Sequence, residues 1–248
     1  MKLHVINGYI QSIYLVEYAH GLLLLDGCSR ADVQTIKAYI TENLNRSFSD
    51  LKLVVVTHMH PDHAGAAHRL RKLTGCKIAS ANVEGHWYSG IDGLIMHWTD
   101  MALTQWVAKK KKQPRKNIWY PAKLKADVLL NDGDLLPEFK EWQALSTQGH
   151  TDRDLSLLHI NSKQIYVADL IVIVKGKLTA PFPVFYPRRY RESLTKLKKI
   201  QPKYLLLAHQ KSVEVKGEDF DKLITKAPTR PLTHWRMVKH KLRTIWQN

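Results

Sequence analysis

The chain has 248 residues, 44% of them hydrophobic, which is enough to build a core of substantial size. Its 38 Lys and Arg against 22 Asp and Glu give a formal charge of +16, which favours anionic substrates, nucleic acid or an anionic membrane surface as partners. The two cysteines, Cys28 and Cys76, exclude a disulfide framework and have no CxxC spacing for a thiolate metal site. No linker or repeat divides the sequence, so we predict a single domain over residues 1–248.

The N-terminal segment predicts no secretion signal. The N-terminal residues have neither the long apolar segment nor the small-residue cleavage site of a secretion signal. No stretch approaches the roughly 18 apolar residues that a membrane-spanning helix needs. We therefore expect a soluble, cytoplasmic protein.

The first half of the chain alternates strand and helix patterns. Short strands are predicted at 3–6, 13–18 and 22–25, followed by a helix over 30–44 with Ser29 as its N-cap. A compact apolar run at 51–56 predicts a buried strand. Pro61 begins a helix that continues over 64–73. A strand-to-helix loop therefore lies between Val56 and Pro61.

The second half repeats the theme with a second set of strands, predicted at 128–130, 142–146, 155–160, 164–167 and 204–207. Helices are predicted at 190–200 and 220–224. Between the halves, residues 91–121 form an insertion in which apolar side chains recur at helical spacing, and we predict an amphipathic helical lid there. These apolar side chains are Ile91, Leu94, Ile95, Trp98, Ala102 and Trp106. Helices flanking two sheets indicate an α/β sandwich.

The strongest chemical signal is the sequence Thr57-His58-Met59-His60-Pro61-Asp62-His63 at the end of a buried strand. His58 and His60 alternate in an extended segment and project the same way, so both rings can reach one cation. Asp62 and His63 start the helix and can reach a second cation. A solvated, His-rich loop is the alternative interpretation. We favour a pair of neighbouring metal sites.

This motif resembles the HxHxDH loop of the metallo-β-lactamase fold family, in which an isolated His, an isolated Asp and a final His follow. His150, Asp169 and His209 stand at the matching places, each after a predicted strand. The resemblance implies an αββα four-layer sandwich of the metallo-β-lactamase fold. It also implies that His58, His60 and His150 hold one metal, that Asp62, His63 and His209 hold a second, and that Asp169 bridges them.

The sequence departs from the family pattern at two places near the second metal. Ala168 stands where the family usually has Gly before the bridging Asp, and Ala208 and Gln210 replace the glycines on either side of the last His. The resemblance implies two divalent metal ions. Imidazole and carboxylate ligands suit zinc and also accept iron, manganese or nickel.

The resemblance further implies a hydrolase in which a metal-bound hydroxide attacks the substrate, with Asp62 as the catalytic residue that orients the hydroxide or moves its proton. We expect a small thioester, ester or lactone as substrate, as in the glyoxalase II-like and lactonase-like branches. A phosphodiesterase or nuclease of the same fold is the first alternative, and a non-catalytic metal-binding module is the second.

Four further residues are candidates for substrate contacts. Lys175 and Lys177 follow the bridging Asp where glyoxalase II relatives place a basic contact to glutathione. Tyr186 is the nearest equivalent of a tyrosine that lactonase relatives carry after that Asp. It also belongs to an aromatic segment over 181–186 that could rim the pocket. His97, on the predicted lid, is the fourth.

The basic surface leaves several partners open. The run at 109–116 is either a solvated loop or a binding site for the anionic tail of a small-molecule substrate. Nucleic acid binding is not favoured, because no nucleic-acid motif accompanies the basic residues. The apolar stripe of the lid could pack against the domain, against a second copy in a homodimer, or against an acyl group. A basic amphipathic helical tail is predicted over 232–248, docking onto the domain or contacting a membrane surface.

Overall fold

The computed structural model describes residues 1–233, and two mixed β-sheets form the centre of the fold. In the first sheet, β1, β2 and β3 pair antiparallel, and β3 to β6 run parallel. The strands follow one another in chain order. Their bounds are β1 Lys2–Asn7, β2 Ser12–Tyr18, β3 Gly21–Leu24, β4 Leu51–Val56, β5 Lys77–Ala81 and β6 Val128–Leu130.

The second sheet has the strand order β14-β13-β10-β9-β8-β7. Its pairs are antiparallel except for β10 with β13, which run parallel. A separate hairpin is formed by β11 and β12. The bounds are β7 Leu135–Leu136, β8 Phe139–Ser146, β9 Leu155–His159, β10 Gln164–Tyr166, β11 Val172–Val174, β12 Lys177–Thr179, β13 Tyr204–Leu206 and β14 Val213–Glu214.

Six α-helices accompany the sheets in the described part of the chain. A 3-10 turn at Arg30–Asp32 leads into the first helix, a π turn at Tyr39–Asn43 ends it, and another 3-10 turn covers Phe48–Asp50. The helices are α1 Val33–Ala38, α2 Pro61–Ala64, α3 Ala67–Thr74, α4 Gly90–Lys110, α5 Pro187–Ile200 and α6 Gly217–Lys226.

Alternating side chains on the strands produce three apolar layers, because neighbouring residues of a strand point to opposite faces of the sheet. On β4, Leu53 and Val55 pack between the two sheets, whereas Val54 and Val56 pack on the outer side together with side chains of α1, α3 and α4. The outer face of the second sheet packs against α5 and α6, through residues such as Leu194. The order helix, sheet, sheet, helix is the predicted αββα sandwich.

Most predicted elements are present, with ends shifted by a few residues. Ser29 caps the segment after β3 through its hydroxyl, as expected. Five strands were missed: β5, β7, β11, β12 and β14. They are short, or follow a helix without a clear alternation of apolar and polar residues.

The predicted lid is a helix, α4, but it covers only the first two thirds of the predicted insertion. Its apolar stripe faces solvent, since Ile91, Leu94, Ile95 and Trp98 are all exposed. Of the three alternatives for this stripe, packing against the domain is therefore wrong for these four side chains. The predicted tail lies outside the described residues from position 234 onward. No helix within residues 1–233 has both the length and the apolarity required to span a membrane.

Candidate metal centre

The metal-ligand candidates lie at the carboxyl ends of strands, where loops of the two sheets meet. The HxHxDH loop follows β4, His150 follows β8, Asp169 follows β10 and His209 follows β13. The carboxyl ends of β10 and β13 share one edge of the second sheet because these strands are parallel. The fold thus brings together residues that are up to about 150 positions apart in the sequence.

The first cluster contains His58, His60, His150 and Asp169, whose potential ligand atoms all lie within 4.8 Å of one another. Nδ1 of His60 is 3.1 Å from Nε2 of His58 and 2.9 Å from Nε2 of His150. The three nitrogens therefore converge on one point. The rings meet edge to face, so their lone pairs, rather than their faces, are directed inward.

The second cluster contains Asp62, His63 and His209. Nε2 of His209 lies 3.4 Å from Oδ2 of Asp62, and Nε2 of His63 lies 3.6 Å from the same oxygen. Asp169 connects the clusters. Its Oδ1 is 3.4 Å from Nε2 of His63 and 3.2 Å from Nε2 of His209, and its Oδ2 is 3.7 Å from Nε2 of His150. The geometry thus brings all seven predicted ligands together in two adjoining groups.

The backbone before Asp169 explains why the family prefers glycine there. Ala168 has a φ of 45°, in the left-handed region that glycine occupies without strain. Alanine can take up this conformation at a modest cost, so the departure from the family pattern leaves the position of the Asp169 carboxylate intact. Ala208 packs in the layer between the sheets, and Gln210 lines the pocket over the ligands.

Each of three histidines has one ring nitrogen anchored to an acceptor and the other directed to the clusters. Nδ1 of His63 donates to Asp26 at 2.5 Å, and Nδ1 of His150 donates to the carbonyl of Pro183 at 2.6 Å. Nδ1 of His58 lies 3.2 Å from the hydroxyl of Thr57. These contacts place the protons on Nδ1 and leave the lone pairs of Nε2 for a ligand.

Asp26 anchors the residues behind the metal ligands, which we call the outer layer, and it was not identified from the sequence. Its Oδ1 accepts from the backbone N–H of Gly27 at 2.9 Å and of Thr57 at 3.2 Å. Its Oδ2 accepts from the hydroxyl of Tyr166 at 2.8 Å and from His63. The sequence offered one signal for Asp26: its carboxylate follows β3, the strand that pairs with β4, and β4 leads into the HxHxDH loop.

Asp154 plays the equivalent part for the His150 loop and was also missed. Its carboxylate accepts from the backbone N–H groups of Gly149 at 3.0 Å and Thr151 at 2.6 Å, and from the Thr151 hydroxyl at 2.6 Å. Gly149 itself has a φ of 151°, and a Cβ there would lie 2.5 Å from Cα of Tyr190. Only glycine lets α5 approach this loop so closely.

The histidines of the two clusters differ in the direction in which their pKa values are shifted. Burial, together with neighbouring His63 and His60, holds the pKa of His58 well below its usual value, so this ring is neutral. Burial also opposes a charge on His63, but Asp26 and Asp62 outweigh it and raise its pKa well above the usual value. Burial opposes ionisation of Asp169 as well, yet His63 and His209 hold its pKa well below the ordinary range.

The donor set fits divalent cations. Nε2 of His63 and Oδ1 of Asp169 are buried atoms without a hydrogen-bond partner, which is costly unless another group occupies the space between them. The carboxylates that favour a proton on His63 would equally favour a metal ion in its place. Imidazole nitrogens and carboxylate oxygens are ligands for zinc, iron, manganese and nickel alike.

A cavity of about 400 Å³ opens over the ligands. His60, Asp62, His150, Asp169 and His209 form its floor. One wall comes from α4 and the other from the segment after β12 that contains Phe182. Most of the wall is apolar, formed by Ile10, Leu103, Trp106, Val107, Phe182 and Pro183. Lys111 also lines the cavity, and its ammonium donates to the carbonyl of Ile10.

The helix α4 contacts the first cluster through Asp100, another residue that the sequence did not single out. Oδ2 of Asp100 lies 3.7 Å from Nε2 of His60, the nitrogen that faces away from His58 and His150. The hydroxyl of Tyr88 donates to the same oxygen at 2.8 Å. Burial raises the pKa of Asp100 to about 6.

The four predicted substrate contacts lie away from this cavity. Lys175 and Lys177 are exposed on the β11–β12 hairpin, outside the cavity lining. Tyr186 caps α5 and borders a separate groove, with Arg189 over its ring. His97 is buried under α4, where its ring packs against Tyr88 and Tyr120. Of the segment over 181–186, Phe182 and Pro183 do reach the cavity, in line with the expected rim.

Comparison with known proteins agrees with this geometry. The sequence model of the metallo-beta-lactamase superfamily matches residues 6–209. A "probable metallo-hydrolase", YflN of Bacillus subtilis (strain 168), is 24% identical over 244 residues, covering 92% of this chain and 90% of the relative.

Solved structures of the same superfamily share the fold. One is TTHA1429 from Thermus thermophilus, with a TM-score of 0.66 and 17% identity over 90% of this chain and 78% of that protein. Another is ST1585 from Sulfolobus tokodaii, with a TM-score of 0.63 and 17% identity over 90% of this chain and 84% of that protein. The chain belongs to the metallo-beta-lactamase superfamily.

Proposed function

We propose that this metal-dependent hydrolase cleaves a small thioester, ester or lactone that carries an apolar acyl group, with two divalent metal ions, zinc being the expected metal. The observation that carries the proposal is the placement of two adjoining ligand clusters on the floor of a cavity whose walls are mostly apolar. A small acyl compound would place its carbonyl at the floor and its hydrocarbon against the walls.

The seven ligand residues would hold two cations. His58, His60 and His150 would hold one cation, and Asp62, His63 and His209 the other, with one oxygen of Asp169 toward each. Bound divalent cations supply a water of lowered pKa and polarise a carbonyl oxygen.

Asp62 is the residue we assign to proton movement. Its carboxylate lies in the cavity floor, and Oδ2 faces both His63 and His209. His63 and His209 hold the pKa of Asp169 well below its ordinary range against the opposing effect of burial, so the charge of Asp169 is available for holding cations. A carboxylate in this position can orient the nucleophile or accept its proton.

The walls of the cavity favour an acyl substrate over a phosphodiester. Leu103, Val107 and Phe182 offer no hydrogen bonds to a charged backbone or sugar. Lys111 at the cavity supplies one cation, which would suit a single anionic group on the leaving part of the substrate. The phosphodiesterase alternative rests on the net charge of +16, to which the described cavity lining contributes Lys111 as its single Lys or Arg.

The test measures metal content and turnover together. Untagged protein is analysed for bound metals and assayed with thioesters, lactones, β-lactams and phosphodiesters. His58→Ala and Asp169→Ala should lose both metal and turnover. Turnover of phosphodiesters alone would refute the acyl assignment, and full metal loading without any turnover would support a non-catalytic module.

The acyl wall has its own matched pair of variants on one helix. Leu103→Ala opens the cavity, whereas Leu94→Ala removes the same side chain from the exposed face of α4. We expect Leu103→Ala to reduce kcat/KM for a long-chain ester about tenfold and to spare an acetyl ester, since the loss follows the buried hydrocarbon. Leu94→Ala should change neither. Equal effects of Leu103→Ala on both esters would contradict an acyl wall.

A further inference from the structure

The outer face of α4 is an apolar surface that nothing covers among the described residues. Ile91, Leu94, Ile95, Trp98 and Trp106 recur at helical spacing on this face. Ile91 is 79% exposed, Trp98 58% and Trp106 53%. The opposite face of the helix is buried, through residues that include His97, Met101 and Ala108. The helix is therefore apolar toward solvent as well as toward the core, which is unusual for a surface helix.

Tryptophan is concentrated at this surface. The described part of the chain has five tryptophans, and the three that are exposed by half or more, Trp98, Trp106 and Trp119, all lie on α4 or on the segment that follows it. Trp98 and Trp119 border one groove, together with Arg115 and Lys116. We call the exposed side chains of Ile91, Leu94, Ile95, Trp98, Trp106 and Trp119 the α4 patch.

Asp92 is an exposed carboxylate at the start of α4, but from residue 101 onward the charge beside the α4 patch has one sign. Residues 101–126 contain eight Lys and Arg and no Asp or Glu, so they account for half of the formal net charge of +16. Lys109, Lys110, Lys112, Arg115 and Lys116 are exposed at the end of α4 and after it. The ammonium of Lys110 lies 3.6 Å from the ring centroid of Trp106, so cation and aromatic ring form one surface.

We propose that the α4 patch and its basic neighbours dock the protein on an anionic lipid bilayer. Aliphatic side chains and tryptophan rings insert into the interface between headgroups and acyl chains, while lysine and arginine contact acidic headgroups. Single-stranded nucleic acid would use the tryptophans and the cations but would leave Ile91, Leu94 and Ile95 without a partner. An isologous dimer through this face would bring two cationic clusters of like charge together.

Docking would give the cavity a defined orientation. Trp106 belongs both to the α4 patch and to the cavity lining, and Leu103 and Val107 lie on the neighbouring face of the same helix. The cavity wall would thus adjoin the bilayer surface. Docking itself requires neither bound metal nor turnover, so it can be tested separately from the proposed function.

The test is flotation of the full chain with vesicles. One set contains phosphatidylcholine with about one third phosphatidylserine, and the other phosphatidylcholine alone, at about 0.15 M salt. We expect binding to the acidic vesicles, with tryptophan fluorescence shifted to the blue. Ile95→Gln/Trp98→Gln and, separately, Lys109→Gln/Lys110→Gln should each weaken binding about tenfold or more, because each pair removes apolar area or two surface cations.

Matched controls come from another helix. Lys72 and Leu73 are an exposed cation and an exposed apolar residue on α3, and Lys72→Gln/Leu73→Gln should leave vesicle binding unchanged. The metal content of every variant reports that the fold is retained. Absence of binding, or binding that the α4 variants do not weaken, would overturn the proposal. Light scattering that shows a dimer dependent on Trp98, or binding to polyuridine dependent on it without binding to vesicles, would overturn it as well.

Discussion

Asp26→Asn is the sharpest test of how the outer layer controls the metal centre. The substitution keeps the shape of the side chain and replaces one oxygen by an NH₂ group. The amide oxygen must stay at the Oδ1 position, because the backbone N–H groups of Gly27 and Thr57 can only donate there. The NH₂ group then faces Nδ1 of His63, which also donates. Two donors meet across 2.5 Å.

The ring of His63 can relieve this conflict by moving its proton to Nε2. That proton would then occupy the lone pair that faces Asp62 and Asp169, so the second cluster loses a ligand. Outer partners of metal-binding histidines typically contribute a factor of about 10 to 100 in metal affinity, and we expect a loss in this range. Loss of the buried charged pair should also lower the free energy of unfolding of the metal-free protein by about 3 kcal/mol.

The assay is competition with a chromophoric chelator, combined with urea unfolding followed by tryptophan fluorescence. Tyr166→Phe is the control, because it removes a hydrogen bond to the same Oδ2 atom and leaves the donor and acceptor pattern of His63 unchanged. It should cost about 2 kcal/mol of stability with less than a threefold change in metal affinity. If Asp26→Asn binds two metals as tightly as Tyr166→Phe, the argument from the proton on His63 is refuted.

Three further predictions concern the surroundings of the centre. Gly149→Ala should lower the free energy of unfolding by about 3 kcal/mol in urea, because its Cβ meets the backbone of Tyr190; a loss below about 1 kcal/mol would contradict this. Burial raises the pKa of Asp32 to about 6 in the folded protein. The protonated carboxyl therefore contributes fully to the free energy of unfolding below the pKa that Asp has in the unfolded chain, and this contribution is lost as the pH rises through 6. The free energy of unfolding of Asp32→Asn, measured in urea relative to wild type, should therefore rise by about 3 kcal/mol between pH 4 and 7. A difference that does not depend on pH would refute the raised pKa of Asp32. Asp100→Ala should weaken metal binding about tenfold in chelator competition, with exposed Asp92→Ala on the same helix as the unchanged reference.

The sequence was most informative where chemistry requires particular residues at short spacing. His58, His60, Asp62 and His63 could be recognised as a group because a strand-to-helix loop has few structural uses for three imidazoles. The distant partners could be assigned only through the family resemblance. His209, taken alone, is an ordinary histidine after a strand, and its place beside Asp169 follows from the parallel pairing of β10 and β13.

Outer-layer residues were harder to predict for a physical reason. Asp26 and Asp154 act through backbone N–H groups and through side chains that the fold supplies from other strands. Carboxylates at strand ends and in turns are common, and nothing in their local sequence separates these two from turn residues. The surroundings of the proposed substrate contacts also depend on tertiary packing: His97 lies on the buried side of α4, with its ring against Tyr120.

The helix α4 is where the separate arguments meet, because each of its faces has a different environment. One face packs in the core through Met101, another lines the cavity through Leu103 and contacts His60 through Asp100, and the third exposes Trp98. A helix that needed only to cover the metal centre would gain nothing from the third face, since exposed apolar side chains cost solubility. Anything that binds the exposed face acts on the same rigid element that carries the cavity wall and Asp100. The vesicle and ester assays therefore probe two faces of one helix.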